Sequence, residues 1–278
     1  MPAQQGGERG QLRPLSDLPD ERLSELRVVL TDIDDTLTTE GRLPAAAYSA
    51  LERLHEAGLL VVPVTGRPAG WCDMIARFWP VDAVVGENGA FTYRYLHAEK
   101  RMLRTFRQSD EERAANREKL NAIREEVLRA VPGSGVAADQ FCRDTDLAID
   151  FCEDVPPLPR EAVREIVAIF ERNGAVAKVS SIHVNGWFGD HDKVTTCFAA
   201  MDELFGVAPE ELRRVAVFAG DSPNDCPMFV ELPFSVGVAN VLDFEGDLDP
   251  PPAYVTARRG AEGFVELAER LLALPARR

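Results

Sequence analysis

Val28-Val29-Leu30-Thr31-Asp32-Ile33-Asp34-Asp35-Thr36 is an apolar run, too short for a helix, that ends in a turn crowded with carboxylates. A second run has the same grammar far along the chain: Val215-Ala216-Val217-Phe218-Ala219, then Gly220-Asp221-Ser222-Pro223-Asn224-Asp225. Short apolar runs closed by turns read as buried strands of a parallel sheet, and open α/β sheets bind ligands at the carboxyl ends of such strands. Both acidic turns are therefore expected on one edge of one sheet. Carboxylates gathered there raise one another's pKa unless a cation lies among them, and a hard divalent ion with oxygen ligands, Mg²⁺, is the natural remedy.

Between and around these runs the pattern alternates. Pro44 stands where a helix would start, Ala45, Tyr48, Leu51 and Leu54 recur at helical spacing, and Gly58 stops them. Leu59–Val64 reads as a strand ending in Thr65-Gly66-Arg67, a helix follows over about Pro68–Phe78, and Ala83-Val84-Val85 leads to the turn Gly86-Glu87-Asn88-Gly89. This βαβαβ order predicts an α/β fold with a doubly wound, Rossmann-like parallel sheet. From Phe91 the character changes to paired strands, a charged helix over Asp110–Ala130, a strand at 146–151, a helix over Arg160–Arg172 and strands at 175–179 and 182–185. The βα alternation resumes with a helix near Lys193–Phe205. We therefore expect a disordered tail at 1–25, a core made of 26–90 and 188–278, and an inserted α/β cap domain at 91–187.

Composition narrows the function classes. The chain has 278 residues, 45% of them hydrophobic, enough to bury a substantial core. A net charge of −15 argues against a broad footprint for nucleic acid or an anionic membrane. No stretch approaches the roughly 20 apolar residues of a membrane span. The first residues lack the apolar core of a secretory signal. The five cysteines, at 72, 142, 152, 197 and 226, are odd in number and scattered. They are expected to be reduced thiols packed as small core residues of a cytoplasmic protein.

Asp32-x-Asp34-x-Thr36, Thr65-Gly66-Arg67, Lys193 and Gly220-Asp221-Ser222-Pro223-Asn224-Asp225, in that order, resemble the four motifs of the haloacid dehalogenase-like phosphatase superfamily. The insertion resembles the α/β cap of its subfamily IIB, which holds Cof-type, sucrose-phosphate and mannosyl-3-phosphoglycerate phosphatases. The resemblance covers roughly Arg27–Leu272 and implies a Mg²⁺-dependent hydrolase of a small phosphorylated metabolite, a sugar phosphate or phosphoglycerate derivative, acting through a phosphoaspartyl intermediate. A phosphosugar mutase and a non-catalytic ligand-binding regulatory module are the alternatives.

The residues support the same roles. Asp32 at a strand tip is placed to attack phosphorus, and Asp34 to protonate the leaving oxygen; alone, the motif reads equally as an acidic turn capping the next helix. The resemblance adds that Asp34 offers a metal its backbone carbonyl. Asp221 is the expected direct metal carboxylate, with Asp225 behind it orienting the ion's water ligand, and Asn224 resembles the family's residue beside the phosphate. Thr65 and the Gly66 amide face the phosphoryl oxygens, and Lys193 supplies a point charge for them. Arg67 either neutralises substrate charge or pairs with an acid such as Glu87. Asn88 is a further candidate for substrate binding. His183, Asn185 and Trp187 either line a sugar pocket or form a cap strand in which Trp187 is an anchor and His183 is structural; the second reading is slightly favoured. Asp35 stands where the family commonly has glycine.

Overall fold

The alternating apolar patterns become alternating elements in the computed structural model, which describes residues 12–180, 182–244 and 246–273. In chain order these are β1 (Arg13–Pro14), α1 (Asp20–Leu23), β2 (Val28–Thr31), α2 (Ala45–Glu56), β3 (Leu60–Pro63), α3 (Ala69–Phe78), β4 (Val84–Gly86), β5 (Phe91–Leu96) and β6 (Arg101–Phe106). There follow α4 (Asp110–Ala130), β7 (Gly135–Val136), β8 (Leu147–Asp150), α5 (Arg160–Arg172), β9 (Val176–Val179), β10 (His183–Trp187) and α6 (Lys193–Phe205). The chain ends through α7 (Pro209–Val215), β11 (Ala216–Gly220), α8 (Cys226–Glu231), β12 (Ser235–Gly237), β13 (Tyr254–Val255) and α9 (Gly260–Leu272). Two compact units result, one from the described parts of Met1–Val62 and Phe205–Arg278, the other from Pro63–Leu204.

The first unit is built on a six-stranded sheet of order β1-β13-β12-β11-β2-β3. β2, β11, β12, β13 and β1 pair in parallel. Strand β2 is buried along its whole length, as expected of a strand covered on both faces. The order reverses between β2, whose chain continues to β3 on one side, and β11, which continues to β12 on the other. That crevice is the topological switch point, where α/β sheets take their ligands. Helices α2 and α9 pack together, burying Leu51 and Leu54 on one and Phe264 and Leu267 on the other.

One expectation needs correction here. Residues 1–11 of the proposed tail lie outside the described residues, but 12–25 form part of the fold. Arg13 and Pro14 add an edge strand beside Tyr254 and Val255, Leu15, Leu18 and Leu23 are buried, and Arg270 Nη2 donates to the Leu18 carbonyl at 3.0 Å. A two-residue strand has no periodicity to read, and three leucines spread through a polar stretch do not announce a core face. Proline is tolerated because β1 is at the sheet edge.

The second unit holds two antiparallel sheets, β4-β5-β6 and β7-β8-β10-β9. Residue 64 runs parallel to Val85 beside the first of them. On the other sheet, Ile149 and Val184 meet Leu120, Ile123 and Val127 of α4 and Ile166, Ile169 and Phe170 of α5. A Cβ at Gly186 would lie 2.1 Å from the Phe170 ring, so this close approach requires glycine. Helix α4 begins with a capping box: the Ser109 hydroxyl accepts from the Glu112 amide at 3.2 Å and the Glu112 carboxylate accepts from the Ser109 amide at 2.8 Å. Among the described residues no helix is long and apolar enough to cross a membrane.

None of the five cysteines is in a disulfide. Cys72, Cys197 and Cys226 are buried, whereas Cys142 and Cys152 are only half-buried and are not the core residues expected. Burial pushes the Cys197 thiol up to about 12, which keeps it protonated and inert.

Candidate active site

In the first unit the strand ends deliver the acids. The Asp32 amide donates to the Ala219 carbonyl at 2.8 Å, which extends the β2–β11 pairing by one residue and seats both acidic turns at the switch point. Asp32, Asp221 and Asp225 are all buried and can each place a carboxylate oxygen within 4.8 Å of the others. Such a buried trio is costly unless positive charge compensates it, and an all-oxygen donor set suits a hard divalent cation. Asp34 is half-buried and its side chain stands outside this trio. Asp35 has a φ of +56°, the left-handed region, which accounts for the glycine common at that place in the family and shows an aspartate accepting the strain.

The second acidic turn is braced from within. Asp225 Oδ2 accepts from the amides of Asp221 at 3.0 Å and Ser222 at 3.4 Å. A Cβ on Gly220 would come within 2.5 Å of that oxygen, so only glycine admits the brace. Asn224 is half-buried in the short 3-10 turn Pro223–Asp225. Asn240, which no sequence argument singled out, donates through Nδ2 to Asp221 Oδ2 at 3.2 Å and to the Asp35 carbonyl at 3.0 Å, while its oxygen accepts from the Gly260 amide at 2.8 Å. Its signal was positional: it follows β12, the next strand end along from the switch point.

The second unit gathers the remaining candidates. Thr65 is fully buried; its amide bonds the Val85 carbonyl, its carbonyl accepts from the Asn88 amide at 3.0 Å, and its hydroxyl oxygen accepts from the Arg67 amide at 3.0 Å. The hydroxyl proton is left to donate. The Asn88 side chain is packed so close that a Cβ on Gly66 would lie 3.2 Å from it. Lys193, 5% exposed, opens α6, and the helix start is pressed against Gly89: a Cβ there would sit 2.0 Å from the Asp192 carbonyl oxygen. Thr196 Oγ1 donates to the Gly89 carbonyl at 2.6 Å, fixing the contact. Thr65, Gly66, Arg67, Asn88 and Lys193 thus belong to neighbouring turns of one unit, as Asp32, Asp34, Asp221, Asn224 and Asp225 do in the other.

A model of the haloacid dehalogenase-like hydrolases matches residues 29–119. A phosphoglycolate phosphatase of Methanospirillum hungatei is 30% identical over 259 residues, spanning 87% of this chain and 95% of that protein. The chain belongs to the haloacid dehalogenase-like hydrolases. Solved structures share the fold of this hydrolase. A Thermoplasma acidophilum protein matches with a TM-score of 0.66 at 19% identity, covering 90% of this chain and 99% of its own. A Synechocystis sucrose-phosphatase, crystallised with sucrose and phosphate, matches with a TM-score of 0.60 at 15% identity, covering 89% and 98%. The resemblance to the subfamily with an inserted α/β cap therefore holds, and the protein is a phosphatase.

The second unit of the phosphatase also contains a buried polar network. Arg67 does not pair with Glu87. Its guanidinium lies 3.8 Å from both Asp139 and Glu153 and over the Trp71 ring at 4.6 Å, while Glu87 is occupied by backbone amides. Arg143 Nη1 bonds both oxygens of Asp146 at 3.1 and 3.0 Å and the Gly66 carbonyl at 3.1 Å. Burial works against the Arg143 charge, but Asp146, Asp139 and Glu87 outweigh it and its pKa is raised. Asn185 Nδ2 donates to Asp146 Oδ2 at 3.1 Å, and His183 Nε2 lies 2.9 Å from Glu153 Oε2. The His183 hydrogen bond, against the opposing effect of burial, holds the Glu153 carboxyl below its usual range. His183 and Asn185 are thus partnered residues of a cap strand, and Trp187 is a buried anchor whose Nε1 donates to the His191 carbonyl at 3.2 Å.

His191 yields a stability prediction. Burial pushes its imidazole down to about 4, against Asp192 and Asp190, which pull it up, and with Arg107, which lowers it further. Between pH 4 and 6.5 the unfolded chain binds more protons at this residue than the folded one. Its contribution is therefore complete above its ordinary value of 6.5 and is lost as pH falls through about 4. Denaturant titrations across that window should show the parent losing more stability than His191→Gln, by up to about 3 kcal/mol. Parallel pH curves for the two proteins would refute this assignment.

Proposed function

We propose that the protein hydrolyses a small phosphomonoester with Mg²⁺, taking phosphorylated hydroxy acids of the phosphoglycolate kind ahead of sugar phosphates. The observation that carries the reading is the buried trio Asp32, Asp221 and Asp225 at the switch point of a phosphatase fold. Asp32 and Asp221, with the Asp34 carbonyl, would hold the ion, and Asp225 would brace them; when bound, the ion offsets carboxylate repulsion and the charge of the phosphoryl oxygens. Asp32 attacks phosphorus and becomes the aspartyl-phosphate as the leaving oxygen departs. Asp34 gives that oxygen a proton and then takes one from the water that cleaves the acyl phosphate. Thr65, the Gly66 amide and Lys193 stabilise the transferring oxygens, with Asn224 beside them. Core residues 26–90 and 188–278 carry this chemistry, and the module 91–187 reads the leaving group. Arg67 supplies a cation for the substrate's carboxylate. The M. hungatei relative bears the name phosphoglycolate phosphatase, which supports the choice of first substrate.

The test is a screen of purified protein with Mg²⁺ against phosphorylated hydroxy acids and sugar phosphates, followed by release of inorganic phosphate. Phosphoglycolate or a close analogue should give the highest kcat/KM. A strict need for a sugar bisphosphate activator would move the protein to the mutases, and no release from any ester would end the hydrolase reading.

A further inference from the structure

Glu87 has no part in the chemistry above, yet it is fully buried, with a φ of +44° that a non-glycine residue keeps only where its surroundings enforce it. Its carboxylate accepts from the amides of Ala69 at 2.9 Å, Asp144 at 2.9 Å and Thr145 at 2.6 Å, and from the Thr145 hydroxyl. Ala69 opens α3 immediately after the turn that carries Thr65 and Arg67. Residues 144 and 145 belong to the connection that enters β8 and includes Arg143, whose own guanidinium returns to the Gly66 carbonyl. The Glu87 amide closes the set by donating to the Arg67 carbonyl at 3.1 Å. One carboxylate thus joins two segments more than fifty residues apart in sequence.

The side-chain chemistry explains why a carboxylate stands there. Four donors converge on it, and an ionised carboxylate offers acceptor sites on both oxygens with no proton to clash. Glutamine would turn an NH₂ toward one of those donors, and a buried amide left without its acceptor is costly. We propose that Glu87 is a positioning residue that fastens the 143–146 connection to the Thr65–Arg67 turn, so that the groups meeting the substrate are in register before it arrives. This rests on the phosphatase reading and on the assignment of that turn to substrate.

The fastening should respond to pH. The ionisable groups facing Glu87 are Asp146, Arg143, Asp144, Tyr93, Cys72 and Cys142. Burial raises the Glu87 carboxyl to about 7, with Asp146 adding to the rise and Arg143 and the donated hydrogen bonds opposing it. Below that value it takes a proton and one donor loses its acceptor, so the KM for an anionic metabolite should rise as pH falls through neutrality.

The experiment compares the parent with Glu87→Gln and with Thr145→Val, which removes only the hydroxyl donor. Glu87→Gln is expected to speed hydrogen exchange at the Ala69, Asp144 and Thr145 amides and to raise the KM for phosphoglycolate about tenfold, the size of one charged hydrogen bond. Its kcat on a small aryl phosphate should stay within about threefold, because that ester uses little but the reacting groups. Thr145→Val should show the same pattern more weakly, and only the parent and Thr145→Val should keep the rise in KM below neutrality. Unchanged exchange and KM in a folded Glu87→Gln would overturn the proposal, as would an equal loss of kcat on both esters. A parent that hydrolyses no ester would instead overturn the phosphatase reading, and the exchange data alone would then decide whether the fastening exists.

Discussion

Asp32→Asn is expected to bring phosphomonoester turnover to background, a loss of roughly 10⁴-fold or more, as when the nucleophile of a covalent mechanism is removed. The substitution keeps the shape of the β2 tip and the amide bond to Ala219 but removes the attacking charge. It also removes one of three buried carboxylates lying within 4.8 Å of one another, so repulsion in the metal-free protein should fall. The variant should therefore match or exceed the parent in metal-free thermal stability, and show a smaller upward shift in Tm on addition of Mg²⁺ than the parent does. Turnover measured with and without chelator, beside melting curves, reads all three effects. Parental turnover in the variant would sink the mechanism, as would a parent fully active in chelator. A variant that is inactive but also unfolded would contradict the argument that the trio is strained without an ion.

Much of this site was legible because its parts sit at the ends of apolar runs. Val28–Thr31 and Ala216–Gly220 announce buried strands, and a carboxylate after each then has one place to go once the strands are neighbours. The helices Asp110–Ala130 and Arg160–Arg172 are equally plain, because polar and apolar residues alternate along them at helical spacing. What escaped reading depends on partners distant in sequence. β1 exists only because Tyr254 and Val255 lie beside it. Asn240 acts through Asp221 and Asp35, and nothing in its own neighbourhood marks it as more than a loop amide. Glu87 looked like a partner for Arg67, but backbone amides from two other segments reach it first. Satisfying buried donors dominates that choice, and no local pattern shows which donors will be buried.

Lys193→Ala is expected to lower kcat by on the order of 10²-fold or more while leaving the fold as stable as before or nearly so. The stability half of the prediction follows from where the lysine stands. It is the first residue of α6 and 5% exposed, at the end of a helix that carries partial positive charge. A cation there costs about 0.3–1 kcal/mol, and alanine is the better helix former. What the variant loses in return is the packing of the lysine stem and the lysine's own partner, so the effects oppose each other. In the proposed mechanism the Lys193 charge serves the phosphoryl group and not the helix. If it neutralises the phosphoryl oxygens mainly as transfer proceeds, kcat should fall more than KM rises. Lys193→Arg should recover only part of the rate, since a planar fork cannot occupy the place of a compact ammonium. Steady-state kinetics on phosphoglycolate and on an aryl phosphate, with thermal melts of all three proteins, test each clause. Near-parental kcat in Lys193→Ala would assign the neutralising charge elsewhere, to Arg67 first, because that guanidinium rises from the same turn as Thr65.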